Sequence, residues 1–268
     1  MPAPILSALN VYPIKSVGGI AAQEWAVDDF GLRYDRRWMV VDSRGRMVTQ
    51  RTHPRLALAR PAIEGERLVV RAPGLDPLVL PLRPGEAVTT TVTIWGDICA
   101  ALWQGEAAAR WFSALLGVTV AVVYIPDSTW RPAGQAYAPA TARVSFADAY
   151  PFLLLSEESL AELNGRMTVP VPMNRFRPNL VIRGGAAFGE DELKTFAIGE
   201  LQFRAVKPCD RCVLTTTDQE TTERGVEPLR TLATFRKRDN GVHFGQNLLH
   251  HGPGRVRVGD VAVATPKA

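Results

Sequence analysis

Two cysteines separated by two residues form the sharpest chemical feature of the chain, in the segment Cys209-Asp210-Arg211-Cys212. As half of a structural zinc site they would need two further ligands, but Cys99 lies far upstream and the histidines lack the usual finger spacing. As a thioredoxin-like redox pair they would open a helix, whereas residues 213–217 are mostly β-branched and predict a strand. A third interpretation is a single thiolate ligand for a soft metal, with Arg211 raising the local potential. The motif alone is equally compatible with a fourth interpretation, in which both cysteines are half-buried side chains with only a structural role.

Three other segments combine cationic side chains with residues that bend the backbone. They are Tyr12-Pro13-Ile14-Lys15-Ser16, Asp35-Arg36-Arg37-Trp38 and Asn174-Arg175-Phe176-Arg177-Pro178-Asn179. Taken singly, each is more typical of a loop with solvated charge. Arginine and lysine are nevertheless the usual phosphate-binding side chains, and asparagine offers a donor and an acceptor to a heterocycle. If these cations converge, they could bind a small anionic ligand.

The composition excludes several classes of protein. The 268 residues carry 31 Lys+Arg against 27 Asp+Glu, a net charge of +4, and are 46% hydrophobic. Such values exclude disordered, collagen-like and coiled-coil proteins, and the slight, scattered positive charge predicts no nucleic-acid partner. The longest charge-free run, residues 111–126, is too short to cross a bilayer, and the N-terminus lacks signal-peptide features. We therefore expect no membrane partner. Because three cysteines cannot form a disulfide framework, we also expect a cytoplasmic location.

The elements that must position these residues are mainly short strands. Strands are predicted at 38–42, 47–50, 67–71, 78–82, 87–95, 118–125, 180–183, 201–206, 213–217, 255–258 and 261–264. Helices are predicted at 106–116, from a cap at Ser156 through 163, and near Pro228. This pattern predicts a mainly β (α+β) fold of two packed β-barrel-like domains with a few short helices. The loop-like stretch 127–141, rich in proline, glycine and alanine, predicts the boundary between domains 1–126 and 127–268.

Taken together, the motifs resemble one family. The cysteine pair, the three cationic segments, residues 147–154 (Ala-Asp-Ala-Tyr-Pro-Phe-Leu-Leu), Phe244-Gly245-Gln246 and Val258-Gly259-Asp260 occur in the order seen in MOSC proteins with an N-terminal MOSC β-barrel domain. That family includes the mitochondrial amidoxime-reducing component and its bacterial counterparts. The resemblance spans nearly the whole chain. It implies an N-terminal MOSC β-barrel domain over 1–126 and a molybdenum-cofactor-binding MOSC domain over 127–268.

The resemblance also implies the cofactor and its contacts. The family binds molybdenum cofactor, a pyranopterin with a dithiolene and a terminal phosphate, and a protein cysteine completes the sulfur ligation of the metal. Cys212, the second cysteine of the pair, matches that catalytic metal ligand, and a soft thiolate suits molybdenum. The residues that match cofactor contacts are Lys15, Ser16, Arg36, Asp148, Arg177 and Asn179. Because they lie in both parts of the chain, we expect the two halves to form one positively charged pocket.

The function implied is reduction of N-hydroxylated compounds (amidoximes, hydroxylamines and N-hydroxylated bases) by oxygen-atom abstraction at the Cys-ligated molybdenum. Only Cys99 accompanies the pair, so this chain cannot hold a four-cysteine iron–sulfur cluster. Electrons must then come from a separate ferredoxin- or cytochrome-type protein with its reductase. The alternative is a non-catalytic carrier or insertion module for molybdenum cofactor or sulfur.

Overall fold

Short strands form most of the secondary structure of residues 3–85 and 87–264, which the computed structural model describes. In chain order they are β1 (Ile5–Val11), β2 (Ile20–Ala22), β3 (Glu24–Asp28), β4 (Gly31–Leu32), β5 (Trp38–Val41), β6 (Arg60–Glu64), β7 (Arg67–Ala72), β8 (Leu75–Pro81), β9 (Thr89–Ile94), β10 (Asp97–Trp103), β11 (Ala121–Tyr124), β12 (Phe152–Ser156), β13 (Leu180–Arg183), β14 (Thr195–Ile198), β15 (Leu201–Asp210), β16 (Lys237–Arg238), β17 (Gly241–His251), β18 (Gly254–Arg257) and β19 (Ala262–Ala264). The α-helices are α1 (Gly105–Leu116), α2 (Glu157–Gly165) and α3 (Leu229–Phe235), and short 3-10 helices cover Pro54–Leu58, Met173–Arg175, Gly189–Glu192 and Val213–Thr216.

The largest sheet has the strand order β19-β14-β15-β17-β12-β13-β1-β2, with β16 paired to β17. Smaller sheets have the orders β5-β11-β10-β9, β18-β3-β4 and β6-β7-β8. The first strand of the chain therefore belongs to a sheet built mainly from the second half, because β1 pairs antiparallel with β13. Strand β3 likewise pairs with β18. The division of the chain into domains 1–126 and 127–268 stays a prediction.

Two large hydrophobic clusters hold the sheets and helix α1 together. The first packs Trp38 of β5 and Phe112 of α1 against apolar residues of β7, β8 and β11. The second packs Leu6 and Leu9 of β1 against Phe152 of β12 and the strands that follow it. Each cluster joins elements that are far apart in sequence, so the sheets are fixed by long-range packing.

The mainly β fold with a few helices, predicted from the sequence, is confirmed. Helix α1 ends at Gly117, which adopts a left-handed conformation (φ +72°) that glycine tolerates best. Helix α2 is capped by Ser156, whose hydroxyl accepts a hydrogen bond from the Ser159 backbone N–H. Among residues 3–85 and 87–264, no helix has the length and apolar character needed to span a membrane.

Two local predictions are wrong. Residues 47–50 form no strand and contribute only an isolated bridge between Val41 and Met47. The segment Val213–Thr216 is a 3-10 helix rather than a strand. There the hydroxyls of Thr215 and Thr216 donate to backbone carbonyls three residues earlier, so threonine stabilises the turn through its side chain. The motif is thus followed by one short helical turn: Cys209 is the penultimate residue of β15, and Cys212 directly precedes that turn.

Candidate functional site

All of the site residues predicted from the sequence line one cleft, called here the central cleft. Its lining includes Lys15, Ser16, Arg36, Arg51, Asp148, Arg177, Asn179, Cys209, Asp210, Arg211 and Cys212. The cleft encloses about 820 Å³, its open mouth included. Residues from the two ends of the chain therefore meet around one space, as expected for the predicted pocket.

Lys15 enters the central cleft from the loop after β1. Its backbone N–H donates to the carbonyl of Trp38 at 2.8 Å, which fixes the loop beside β5. The buried ammonium donates to the carbonyl of Phe146 at 2.9 Å and pairs with the carboxylate of Asp148. Burial lowers the pKa of Lys15, and the attraction of Asp148 only partly offsets this effect. An ammonium has three donors, so a bound anion can take the third.

Asp148 lies at the mouth of the central cleft, with its side chain 59% exposed. Arg51 approaches it at 3.7 Å, and the Trp95 indole N–H donates to it at 3.3 Å. The surrounding protein alone would raise the pKa of the Asp148 carboxyl, but Lys15, Arg51 and the Trp95 hydrogen bond hold it well below its usual range. The group is therefore an anion that organises cations at the mouth.

Arg36 is held by a network of buried polar groups. Its guanidinium pairs with Asp35 and donates to Asn179 Oδ1 at 3.0 Å. Asp35 also accepts from the Tyr12 backbone N–H at 2.7 Å, although burial raises the pKa of its carboxyl. The Asn179 amide nitrogen donates to Asn10 O and to Asp35, and its oxygen also accepts from Leu153 N–H. The Asn179 side chain is thus engaged in positioning Arg36, and its direct contact with a cofactor stays a prediction.

Among the residues that the structure describes, Arg177 combines burial, an unusual backbone conformation and an unpaired hydrogen-bond donor in the central cleft. Arg177 is buried and adopts a left-handed backbone conformation (φ +57°). Its guanidinium carbon lies 4.3 Å from the centre of the Tyr12 ring. Burial lowers the pKa of Arg177 to about 10. The Nη2 atom is buried and has no hydrogen-bond partner in the part of the chain that the structure describes. An orphaned buried donor is costly, so this atom is suited to receive an anionic ligand.

The two cysteines of the pair differ in their surroundings. Arg211 donates to Cys209 Sγ at 3.1 Å and to the carbonyl of Phe176 at 2.7 Å, which ties the cysteine segment to the Arg177 segment. Burial raises the pKa of the Cys209 thiol despite the nearby guanidinium. Cys212 lies at the start of the 3-10 helix, and both cysteines are free thiols. Within residues 3–85 and 87–264, no group of three or more His, Cys, Asp or Glu side chains could hold a metal, so the zinc interpretation has no support.

Sequence reasoning missed Arg51 and Trp95. Arg51 lies in the turn after Gln50, and its backbone carbonyl accepts from Arg224 at 3.0 Å. Neither residue belongs to a recognisable motif, and only tertiary packing brings them to Asp148. Arg211 was noted within the cysteine motif, but its bond to Phe176 O could not be read from spacing.

Comparison with known proteins identifies the family. The MOSC N-terminal beta barrel domain matches residues 3–119, and the MOSC domain matches residues 141–263. The chain is 35% identical to mitochondrial amidoxime-reducing component 1 of Mus musculus over 95% of this chain and 80% of that protein. The chain belongs to the MOSC family. It is also 33% identical to mitochondrial amidoxime-reducing component 1 of Homo sapiens, over 95% of this chain and 81% of that protein.

A second group of relatives points to the cofactor. The chain is 31% identical to the molybdenum cofactor sulfurase of Oryza sativa subsp. japonica, over 90% of this chain but 32% of that protein. With both groups of relatives considered, the chain is a MOSC protein related to the molybdenum cofactor.

The residues of the central cleft fit that cofactor. Lining cations outnumber lining carboxylates: Lys15, Arg36, Arg51, Arg177 and Arg211 against Asp148 and Asp210. A phosphate-bearing pterin would pair with such a surplus and with the free Nη2 of Arg177. A free thiol that lines the same cleft, that of Cys212, suits a metal already bound by dithiolene sulfur.

Proposed function

We propose that this MOSC protein holds molybdenum cofactor in the central cleft and reduces N-hydroxylated compounds such as amidoximes, hydroxylamines and N-hydroxylated bases. The observation that carries the proposal is the meeting of the Cys212 thiol with buried cations from both halves of the chain, Lys15 and Arg177 among them. The relatives named amidoxime-reducing component support this reaction class.

We assign three roles to the residues that line the cleft. Cys212 supplies a thiolate to the metal, while Lys15, Arg36 and Arg177 neutralise anionic groups of the cofactor. Ser16 adds a hydroxyl to the lining of the cleft. When bound, the molybdenum centre supplies the two-electron abstraction of oxygen, and the protein supplies binding, orientation and charge.

The proposed reaction requires an external reductant. Reduction of an amidoxime consumes two electrons and two protons: the N–O bond breaks, the oxygen leaves as water, and an amidine remains. The chain has three cysteines, which is too few for a four-cysteine iron–sulfur cluster. We therefore assign electron delivery to a separate ferredoxin- or cytochrome-type protein with its reductase.

A second candidate is a non-catalytic carrier or insertion module for molybdenum cofactor or sulfur. The similarity to one third of a molybdenum cofactor sulfurase favours it. A carrier would retain the cofactor but would not reduce benzamidoxime when supplied with a chemical reductant, whereas the proposed enzyme would.

The deciding experiment uses protein expressed in a host that makes molybdenum cofactor. Wild type, Cys212→Ser and Cys209→Ser are compared for benzamidoxime reduction with reduced methyl viologen, for molybdenum and pterin content, and for melting temperature. We expect Cys212→Ser to lose reduction while retaining pterin, because a hydroxyl is a harder ligand than a thiolate. Cys209→Ser should retain much of the activity. Equal losses of activity and of melting temperature in both variants would contradict the assignment of Cys212 as the only protein ligand.

A further inference from the structure

An exposed indole, that of Trp95, contacts two side chains that line the central cleft, Asp148 and Arg51. Trp95 is 47% exposed, and its N–H donates to Asp148 Oδ1 at 3.3 Å. The guanidinium carbon of Arg51 lies 4.4 Å from the centre of the indole ring, and the Lys15 ammonium lies 6.0 Å from it. The ring thus sits directly beside the charged groups that border the opening.

The turn that carries Trp95 is held in a strained conformation. The pairing of Ile94 with Asp97 leaves only Trp95 and Gly96 in the turn between β9 and β10. Trp95 has φ +53°, a left-handed conformation that a bulky residue rarely adopts. Glycine or asparagine is the ordinary choice for such a turn position. A tryptophan that faces solvent there adds little to the core, so stability alone does not explain it.

The turn is also fastened to the segment that carries Asp148. Asp97, the first residue of β10, pairs with Arg131 at 2.9 Å. The buried Arg131 donates to the carbonyls of Ser145 and Ala147, each at 2.7 Å, and to that of Asp148 at 3.1 Å. These bonds fix the indole relative to the opening, as a preorganised binding surface requires.

We propose that Trp95 is a substrate-recognition residue that stacks on planar, conjugated N-hydroxylated substrates such as aromatic amidoximes and N-hydroxylated bases. This inference rests on the function proposed above and names the part of its substrate class that binds best. An indole suits such substrates because aromatic faces attract planar π-systems and planar cations. The Trp95 ring already has one planar cation, the Arg51 guanidinium, packed against it. Amidines, the products of amidoxime reduction, are planar cations as well. Hydroxylamine has no such plane and would gain nothing from the indole.

The test compares Trp95→Ala, Trp95→Gly and Trp95→Phe with wild-type holoprotein. The glycine variant removes the ring together with the backbone strain, so the test survives if the alanine variant folds poorly. The control is Trp130→Ala, because Trp130 is 53% exposed but lines a different cavity. KM and kcat are measured for benzamidoxime and for hydroxylamine with reduced methyl viologen. Binding of benzamidine, the product, is measured by titration calorimetry.

For Trp95→Ala and Trp95→Gly, we expect KM for benzamidoxime and Kd for benzamidine to rise about five- to tenfold, as the loss of one stacking contact implies. The kinetic constants for hydroxylamine should stay within about twofold of wild type, and kcat for benzamidoxime should change little. Trp95→Phe should keep most of the affinity, because it retains an aromatic face. Trp130→Ala should behave as wild type.

Two results would overturn the inference. One is equal loss for both substrates, which would indicate a general role of the turn. The other is unchanged KM and benzamidine affinity in the alanine and glycine variants. If wild type reduces neither substrate, the proposed function is wrong, and the benzamidine titration alone then decides whether Trp95 recognises a planar ligand.

Discussion

Ser16, Arg36 and Arg177 line the central cleft, and each adopts a left-handed backbone conformation with φ of 62°, 50° and 57°. Such conformations are costly for residues other than glycine and persist where the surrounding contacts determine them. Here the contacts are strong, since Arg36 and Arg177 both pack against Tyr12 and Arg36 also bonds Asn179. The cationic wall is therefore shaped before a ligand arrives, and binding need not order it.

Replacing Arg177 by alanine should weaken retention of molybdenum cofactor. A charge-assisted hydrogen bond to an anion contributes about 1.5–3 kcal/mol, so we expect roughly a 10- to 100-fold loss of affinity. The measurement is molybdenum and pterin content after repeated gel filtration. Arg175→Ala is the matched control, because Arg175 lies two residues away and pairs with Asp218 instead. Equal cofactor retention by the two variants would contradict a phosphate contact from Arg177.

At the scale of elements, the buried Arg131 connects the β9–β10 turn, through its ion pair with Asp97, to backbone carbonyls of residues 145–148. We call Arg131 the polar anchor. Arg131→Met keeps an apolar stem of similar length but leaves buried carbonyls without donors. We expect the free energy of unfolding to fall by about 2–4 kcal/mol, because each buried acceptor left without a donor costs roughly 1–3 kcal/mol, while Asp97 is half exposed and can be solvated. Urea denaturation measures this loss. Arg46→Ala, which removes an exposed ion pair with Asp42, should cost no more than about 1 kcal/mol. A loss as small in Arg131→Met as in this control would show that the anchor is dispensable.

Helix α2 begins against a buried carboxyl, that of Glu190, which accepts from the hydroxyls of Ser156 and Ser159. Burial raises the pKa of Glu190 above the 4.5 of a free glutamate. As the pH falls from 7 towards 4.5, the folded protein therefore takes up this proton before the unfolded chain does. Protonation in that window stabilises the fold, by about 1.4 kcal/mol for each unit by which the pKa is raised.

Glu190→Gln removes this titration, so the melting temperature of wild type minus that of the variant should increase as the pH falls from 7 to 4.5. Thermal melts monitored by circular dichroism at several pH values measure the difference. A difference that stays flat, or that decreases at lower pH, would show that Glu190 titrates normally in the fold.

The elements differed in how well the sequence predicted them. Helix α1 was found because Ala108, Phe112 and Leu115 repeat at helical spacing and all face the core. Strand β17 was missed, since its alternation is broken at Gly245, where φ is +83° and a Cβ would lie 2.6 Å from the carbonyl of Leu154. The positive φ and the closeness of the neighbouring strand together require glycine there, and neither is visible in the sequence of β17 alone.

The candidate site was predictable where it lies in motifs and not where packing assembles it. Lys15, Arg177 and Cys212 stand in segments whose residue types already indicated anion or metal binding. Arg51 and Trp95 reach Asp148 from separate turns, and the register of β9 with β10 decides where the indole lies. Single-sequence patterns carry no information on such distant contacts.

At the scale of the whole molecule, residues on both sides of position 126 share one hydrophobic core. Leu6, Leu9 and Val11 of β1, with Val27 and Leu32, pack against strands of the second half. Burying five such side chains contributes on the order of 10 kcal/mol, which is as large as the net stability of an ordinary domain. The second half therefore depends on the first strands for its stability.

A fragment of residues 127–268 should accordingly fail to fold by itself. We expect it to show no cooperative thermal transition and to bind a dye that detects exposed hydrophobic surface. Fusing residues 3–34 to its start through a flexible Gly/Ser linker should restore a cooperative transition, because β1, β3 and β4 are returned. A cooperative melt of the fragment without those residues would contradict the shared core.

The pairing of β1 with β13 also delays the completion of the largest sheet during synthesis. Ser7 of β1 bonds to the carbonyl of Val181 in β13, 174 positions later. At about 5–20 residues per second, a ribosome needs roughly 10–35 s to make the intervening chain. During that time β1 can pair only with β2, and the edge and apolar face that later meet β13 and the other strands of the second half stay open to chaperones or to neighbouring nascent chains. We therefore expect this side of β1 to stay uncovered until the second half of the chain has left the ribosome.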